Sequence, residues 1–200
     1  MRQNSATMPH PVSRAILEFN AGRDPRLLAL KFARLRQDPF AFFRGTNHLF
    51  LAGLPRSRAP WQGPRAWVCG DLHLENFGTY KGDNRLCYFD INDFDESCLA
   101  PVGIDIVRFL ASLHAAAPAL RWDAADLDSV IRSFLRAYRR AIEDGKPRWV
   151  ERSLAEGPVR LLLKQAMDRS RAQLLDRYRF RGRKRRRLRI DDRRLFGVTP

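Results

Sequence analysis

Cysteine is scarce in this chain and shows no pattern. Its 200 residues hold three, Cys69, Cys87 and Cys98, with no C-x-x-C spacing. That speaks against a disulfide framework or a structural zinc site and fits reduced thiols in a cytosol. No apolar run approaches the roughly 20 residues that a membrane-spanning helix needs. The opening stretch, MRQNSATMPHPVSR, lacks the apolar core of a signal peptide. The expectation is a soluble, cytoplasmic protein with no membrane partner. Internal repeats are also lacking, which sets repeat architectures aside.

Apolar and basic residues are plentiful. Hydrophobic residues make up 44% of the chain, and 13 Phe and 4 Trp can fill the core of a globular domain. The formal net charge is +15, unevenly spread. From Asp176 onward 11 Lys/Arg face 3 acids, a net of +8. From Gly70 to Asp105 the sign inverts, with 8 acids against Lys81 and Arg85, a net of −6. Carboxylates gathered against the overall trend and interleaved with Phe, Ile and Tyr point to a hard divalent cation nearby; a solvated acidic loop is the simpler alternative.

The pattern predicts an α+β chain, mostly helical, with a small β-hairpin carrying the functional loops. Residues 13–21 fit a short helix. Asp24-Pro25 and Asp38-Pro39 are helix starts, an N-cap acid followed by proline in the first turn. They open helices to about Arg36 and from Phe40 to about Leu51. Ala66–Cys69 reads as a short buried strand closed by Gly70, residues 71–79 as a loop, and Leu86–Ile91 as the next strand after a Lys81–Asn84 turn. Helices are predicted over about 103–117, Asp123–Ile142 and Gly157–Tyr178. The implied division is an N-terminal extension over 1–23, a catalytic domain over 24–178, and a basic tail or linker over 179–200. The Arg181–Arg189 run is read as a solvated tail, with a weaker reading as a nucleic-acid contact.

Chemistry concentrates in two stretches. VCGDLHLENFGTY runs strand, glycine, Asp71, then Asn76 five positions on, and a second strand ends in FDINDFDE. Phosphoryl transfer to a hydroxyl asks for one carboxylate to orient the attacking hydroxyl, and for an amide oxygen and a second carboxylate to hold Mg²⁺ against nucleotide phosphates. Asp71 takes the first role, Asn76 the second and an aspartate after the next strand the third. Two or three protein ligands suffice, because Mg²⁺ keeps several waters.

Gly70-Asp71-Leu72-His73-Leu74-Glu75-Asn76 resembles the H-G-D-x-x-x-x-N catalytic loop of aminoglycoside phosphotransferases and related kinases, and Asp93-Phe94-Asp95 resembles their metal-binding D-F-G. Asp105 matches an aspartate such kinases place twelve residues after the metal ligand. DPFAFFRG (38–45), CGDLHLENFG (69–78) and FDINDFDE (89–96) together resemble the bacterial domain-of-unknown-function family 2252 over about residues 24–142. The resemblance implies a protein-kinase-like fold of the C-lobe type, Mg²⁺ and ATP or another nucleoside triphosphate as cofactors, and a small-molecule or protein hydroxyl as acceptor. It implies Asp71 and His73 as catalytic candidates, Asn76 and Asp93 as ligands of the metal–nucleotide, and Asp90 and Asp95 as rival or additional metal ligands. Asp90 fits the loop length better and Asp93 the distance to Asp105. Arg44 either binds a phosphate or pairs with an acid of the −6 segment. His73 either acts in the site or packs the loop, and Asp105 equally fits a plain helix cap.

The chain departs from the kinase pattern in three places. Cys69 stands where those kinases have His, and the Asn76–Asp93 spacing is four residues longer. The residues before the first strand contain no Gly-rich loop followed by a strand lysine. The resemblance implies such a segment after this region, so the chain is expected to be the N-terminal portion of a longer protein, unable to bind ATP productively alone. Two other readings stay open. Asp71-x-His73 with Gly82-Asp83-Asn84 imitates the motifs of metal-dependent phosphoesterases, and the basic tail suits a non-catalytic scaffold.

Overall fold

A computed structural model describes residues 10–55, 62–170, 172–173, 179–180 and 187–188. It is an α+β structure, helices with small antiparallel sheets. The chain groups into two compact units, residues 1–77 with 91–147, and residues 78–90 with 148–200. These divisions fall elsewhere than the boundaries expected at residues 23 and 178.

The first unit opens with four helices, α1 (Pro11–Phe19), α2 (Pro25–Leu35), α3 (Pro39–Gly45) and α4 (Asn47–Ala52). Both Asp-Pro starts form as predicted. The Asp24 carboxylate accepts from the N–H groups of Arg26 and Leu27 at 2.8 and 3.0 Å, and that of Asp38 from Ala41 at 2.8 Å, each satisfying donors that a helix start leaves open. The single helix predicted from Phe40 to Leu51 is instead two. Thr46 leaves helical geometry at φ −130°, ψ 37°, and its hydroxyl donates back to the Phe42 carbonyl at 2.7 Å, a local bond that competes with helix continuation. The break sets Asn47 into the interior.

Strand β1 (Arg65–Val68) pairs antiparallel with β4 (Cys98–Pro101), with Trp67 opposite Leu99. β4 was not anticipated, because Cys-Leu-Ala-Pro is too short to show alternation. Helix α5 (Gly103–Leu120) follows, then α6 (Ala124–Asp144), started by a capping box between Asp123 and Asp126. The core joins Cys69, Leu72, Phe109 and Leu113 to Leu127, Ile131 and Phe134 of α6. The Phe109 ring lies 4.5 Å from that of Phe134 and 5.5 Å from that of Phe77. Burial of each such large side chain stabilises by about 1.5–3 kcal/mol. The 18 residues of α5 are also long and apolar enough to cross a membrane. That revises the expectation that no segment approaches that length. Here α5 contributes Phe109, Leu113, Ala116 and Ala117 to the buried interior.

In the second unit β3 (Cys87–Ile91) pairs with β5 (Val150–Glu151), and α7 (Gly157–Asp168) packs Leu163 against Cys87 and Ala155. β2 (Phe77–Lys81) covers part of the predicted loop 71–79. The Lys81–Asn84 turn forms, with the Asn84 side-chain oxygen accepting from Leu86 N–H at 3.1 Å and its amide donating to the Tyr88 hydroxyl at 2.6 Å. α7 ends at Asp168, short of the predicted Tyr178; residues 174–178 lie outside the described ones. Arg179–Phe180 (β6) pairs with Arg187–Leu188 (β7), and the rest of the Arg181–Arg189 run lies outside the described residues.

Candidate active site

The loop after β1 is clamped at its root. The N–H groups of Cys69 and Gly70 donate to the two oxygens of Asp105 at 2.7 and 3.0 Å. Asp105 sits in the first turn of α5, yet no side chain caps that helix; its carboxylate holds the loop instead. Gly70 has φ +88°, and a Cβ there would run into the backbone of Glu96, so conformation and close approach both require glycine. The Gly70 carbonyl accepts from Asn47 Nδ2 at 3.1 Å. Further along, Leu74 N–H donates to the hydroxyl of fully buried Ser112 at 3.1 Å.

Asp71 emerges from this clamp. Its Oδ1 accepts from Arg108 Nε at 2.7 Å, and its Oδ2 lies 4.0 Å from His73 Nε2. Arg108 is only 1% exposed. Its guanidinium carbon lies 3.5 Å from the centre of the Phe43 ring and 4.9 Å from that of Phe50, and its Nη2 donates to the Phe43 carbonyl at 2.8 Å. A buried guanidinium needs such a cage, because an unpaired charge in the interior is costly. Desolvation raises the Asp71 pKa to about 6, with Arg108 pulling the other way. His73 is buried, and desolvation with the nearby Arg44 and Arg108 charges lowers its pKa to about 4. It is therefore neutral, and its Nε2 accepts from Arg44 Nε at 3.2 Å. The acceptor role of Nε2 places the imidazole proton on Nδ1.

Asn76 is buried. Its Nδ2 donates to the Asp71 carbonyl at 2.8 Å and approaches Cys69 Sγ at 3.8 Å, so the amide is fixed by its nitrogen end. Cys69 Sγ donates to the Asp93 carbonyl at 3.0 Å, and burial pushes that thiol's pKa up. One sulfur thus ties the Asn76 turn to the Asp93 loop. Asp93 is exposed just beyond β3, its carboxylate facing the Asp95 N–H at 3.4 Å, and Asp95 is exposed as well. Asp90 lies on β3, exposed, and belongs to the second unit. Arg44 forms a close ion pair with Glu75 besides its bond to His73.

The structure therefore gathers Asp71, His73 and Asn76 on one turn and fastens the Asp93 backbone to it. Among the described residues no group of three or more His, Cys, Asp or Glu side chains is placed to hold a metal. Asn76 and Asp93 offer one amide oxygen and one carboxylate. That set suits a cation that brings most of its own ligands as water or phosphate oxygens, as Mg²⁺ does, and not one needing a protein cage. The reading of the sequence missed Arg108, Asn47 and Glu96. Arg108 left one signal, a lone basic residue inside the mostly apolar GIDIVRFLASL of α5. Asn47 and Glu96 left none, because their roles arise from contacts distant in sequence.

The family model described as "Uncharacterized protein conserved in bacteria (DUF2252)" matches residues 23–199. No curated protein and no solved structure matches.

Proposed function

This chain belongs to the DUF2252 family, and from that premise we propose that it supplies the acid-and-metal half of a kinase-like phosphotransferase. The observation that carries the reading is a single turn presenting both parts. The Asp71 carboxylate is held through one oxygen by Arg108, and the Asn76 amide is anchored by its nitrogen to the Asp71 carbonyl. With a pKa near 6, Asp71 is ionised at neutral pH yet still able to take a proton, the condition for a general base. In the step proposed, Asp71 Oδ2 accepts the proton of the acceptor hydroxyl as its oxygen bonds to the terminal phosphorus, and the bond from phosphorus to the leaving nucleoside diphosphate oxygen breaks. Asn76 and Asp93 would hold Mg²⁺ with the triphosphate, which supplies charge neutralisation of the phosphate oxygens when bound. His73 and Arg44 set the floor beside Asp71, with Arg44 neutralised by Glu75. The acceptor class is a small-molecule or protein hydroxyl.

The phosphoesterase alternative asks Asp71 and His73, with the Gly82-Asp83 pair, to face metals. Here His73 Nε2 accepts from Arg44, so the phosphotransfer reading is preferred. The test is thermal stabilisation by Mg²⁺ with a non-hydrolysable ATP analogue. Wild-type protein should gain melting temperature, Asn76→Ala and Asp93→Ala should lose that gain, and Asp71→Ala should keep the gain while abolishing any phosphoryl transfer. Full transfer activity in Asp71→Ala sinks the assignment.

A further inference from the structure

Two segments of the first unit carry the groups proposed to hold a cation. The turn after β1 carries Asn76, and the segment after β3 carries Asp93. They are joined at three points. Asn92 N–H donates to the Asn76 carbonyl at 3.0 Å, and Cys69 Sγ donates to the Asp93 carbonyl at 3.0 Å. Both bonds fix the near end of the second segment. Beyond Asp93 the chain makes a tight turn, with Ser97 N–H donating to the Phe94 carbonyl at 3.0 Å. The third join lies at the far end of that turn and comes from a helix. Asn47, 6% exposed at the start of α4, uses its Nδ2 twice, donating to the Gly70 carbonyl at 3.1 Å and to the Glu96 carboxylate. Its Oδ1 has no partner among the described residues, so the side chain serves through its donor end.

A thiol is a weak donor, whereas a bond to a carboxylate is charge-assisted and roughly twice as strong as a neutral one. A turn fastened at one end only can pivot there, and the carboxylate it carries swings with it. We infer that Asn47 is a positioning residue for the candidate cation site: by binding Glu96 to Gly70 it closes the far end of the 93–97 turn and fixes the Asp93 carboxylate relative to the Asn76 amide. The inference rests on the phosphotransfer reading, because only a shared ligand gives that spacing a function. The helix break at Thr46, which sets Asn47 into the interior, brings this amide to the junction. The residue type matches the task. Aspartate would offer no donor there, and serine would offer one hydrogen to two acceptors. The Glu96 charge is close enough to Asp71 to oppose its ionisation, so the junction lies beside the proposed base. Groups that orient metal ligands from behind carry about a ten- to hundredfold share of metal affinity.

The experiment pairs two measurements on the full chain: the dissociation constant of a non-hydrolysable ATP analogue with Mg²⁺, and amide hydrogen exchange without ligand. Asn47→Asp keeps the side-chain shape but turns an oxygen toward the Gly70 carbonyl and the Glu96 carboxylate. Glu96→Ala removes the same bond from the exposed side, and it carries the test if melting curves show Asn47→Asp unfolded. Each should weaken analogue binding about tenfold or more and speed exchange over residues 94–97 while leaving α6 unchanged. Adding Glu96→Gln to Asn47→Asp returns a donor across the contact and should recover part of the affinity. Wild-type affinity in a folded single variant, or unchanged exchange over 94–97, overturns the inference. Exchange that speeds equally in α6 overturns it too, since that marks a general loss of stability. A wild-type chain that does not bind the analogue fails the phosphotransfer reading first and takes this inference with it.

Discussion

Two clusters of buried polar groups sit close to Gly70 in sequence or contact, and they are finished differently. Around Asp71 the charges answer one another: Arg108 meets the carboxylate, two Phe rings and a carbonyl cage the guanidinium, and Asp105 takes both N–H groups at the root of the loop. Around Asn47 and His48 three polar atoms have no partner among the described residues. The first arrangement holds a carboxylate in place, and it too leaves one atom over, the buried Nδ1 of His73, which has no hydrogen-bond partner among the described residues. Charge pairs fasten the first cluster, whereas the Asn47 amide is the main tie of the second.

The largest effect expected from breaking this contrast is at Arg108. Arg108→Met leaves the Asp71 carboxyl buried without its cation and should cost about 3 kcal/mol or more of unfolding free energy in urea, with the double variant Arg108→Met/Asp71→Leu recovering part of the loss. A cost below about 1 kcal/mol would show that the pair is not what closes the Asp71 side. Gly70→Ala comes next, at about 2 kcal/mol, from the left-handed backbone strain and the collision with Glu96. Asp105→Asn should cost about 2 kcal/mol, because it replaces a charged acceptor of two N–H groups; an unchanged midpoint would remove Asp105 from the clamp.

Titration sharpens the comparison on a smaller scale. Asp71 is raised from 3.8 to about 6 on folding, so the folded chain holds that proton more tightly and this group's contribution falls as pH rises from about 4 to 6. His73 is lowered from 6.5 to about 4, so the folded chain resists that proton and its contribution is lost as pH falls through the same window. The two slopes oppose, and wild-type stability should be nearly flat between pH 4 and 6. His73→Gln should unmask a decline with rising pH and Asp71→Asn a rise, each at most about 1.4 kcal/mol per pH unit. A steep wild-type profile would mean that one of the two groups is not buried as described. The smallest effect is expected at His48. His48→Phe removes two buried nitrogens that have no partner among the described residues and should change stability by less than about 1 kcal/mol, or increase it.

Much of this was legible in the residues themselves. The Asp-Pro pairs set the starts of α2 and α3 because capping chemistry is local. Gly70, Asp71 and Asn76 marked out the candidate turn because their spacing is short, and the alternation of acid and apolar residues marked the stretch that carries it. Tertiary structure decided what sequence separation concealed: the break at Thr46, the pairing of β1 with a four-residue β4, and the choice of Arg108, 37 residues away, as the partner of Asp71. It also decided that Asp105 holds a loop instead of capping its own helix, and that Asn47 ties the Gly70 carbonyl to the Glu96 carboxylate. Hydrogen-bonding patterns within a few residues are dictated by backbone geometry. Which charge meets which across the fold depends on how the helices pack, and no local rule contains that.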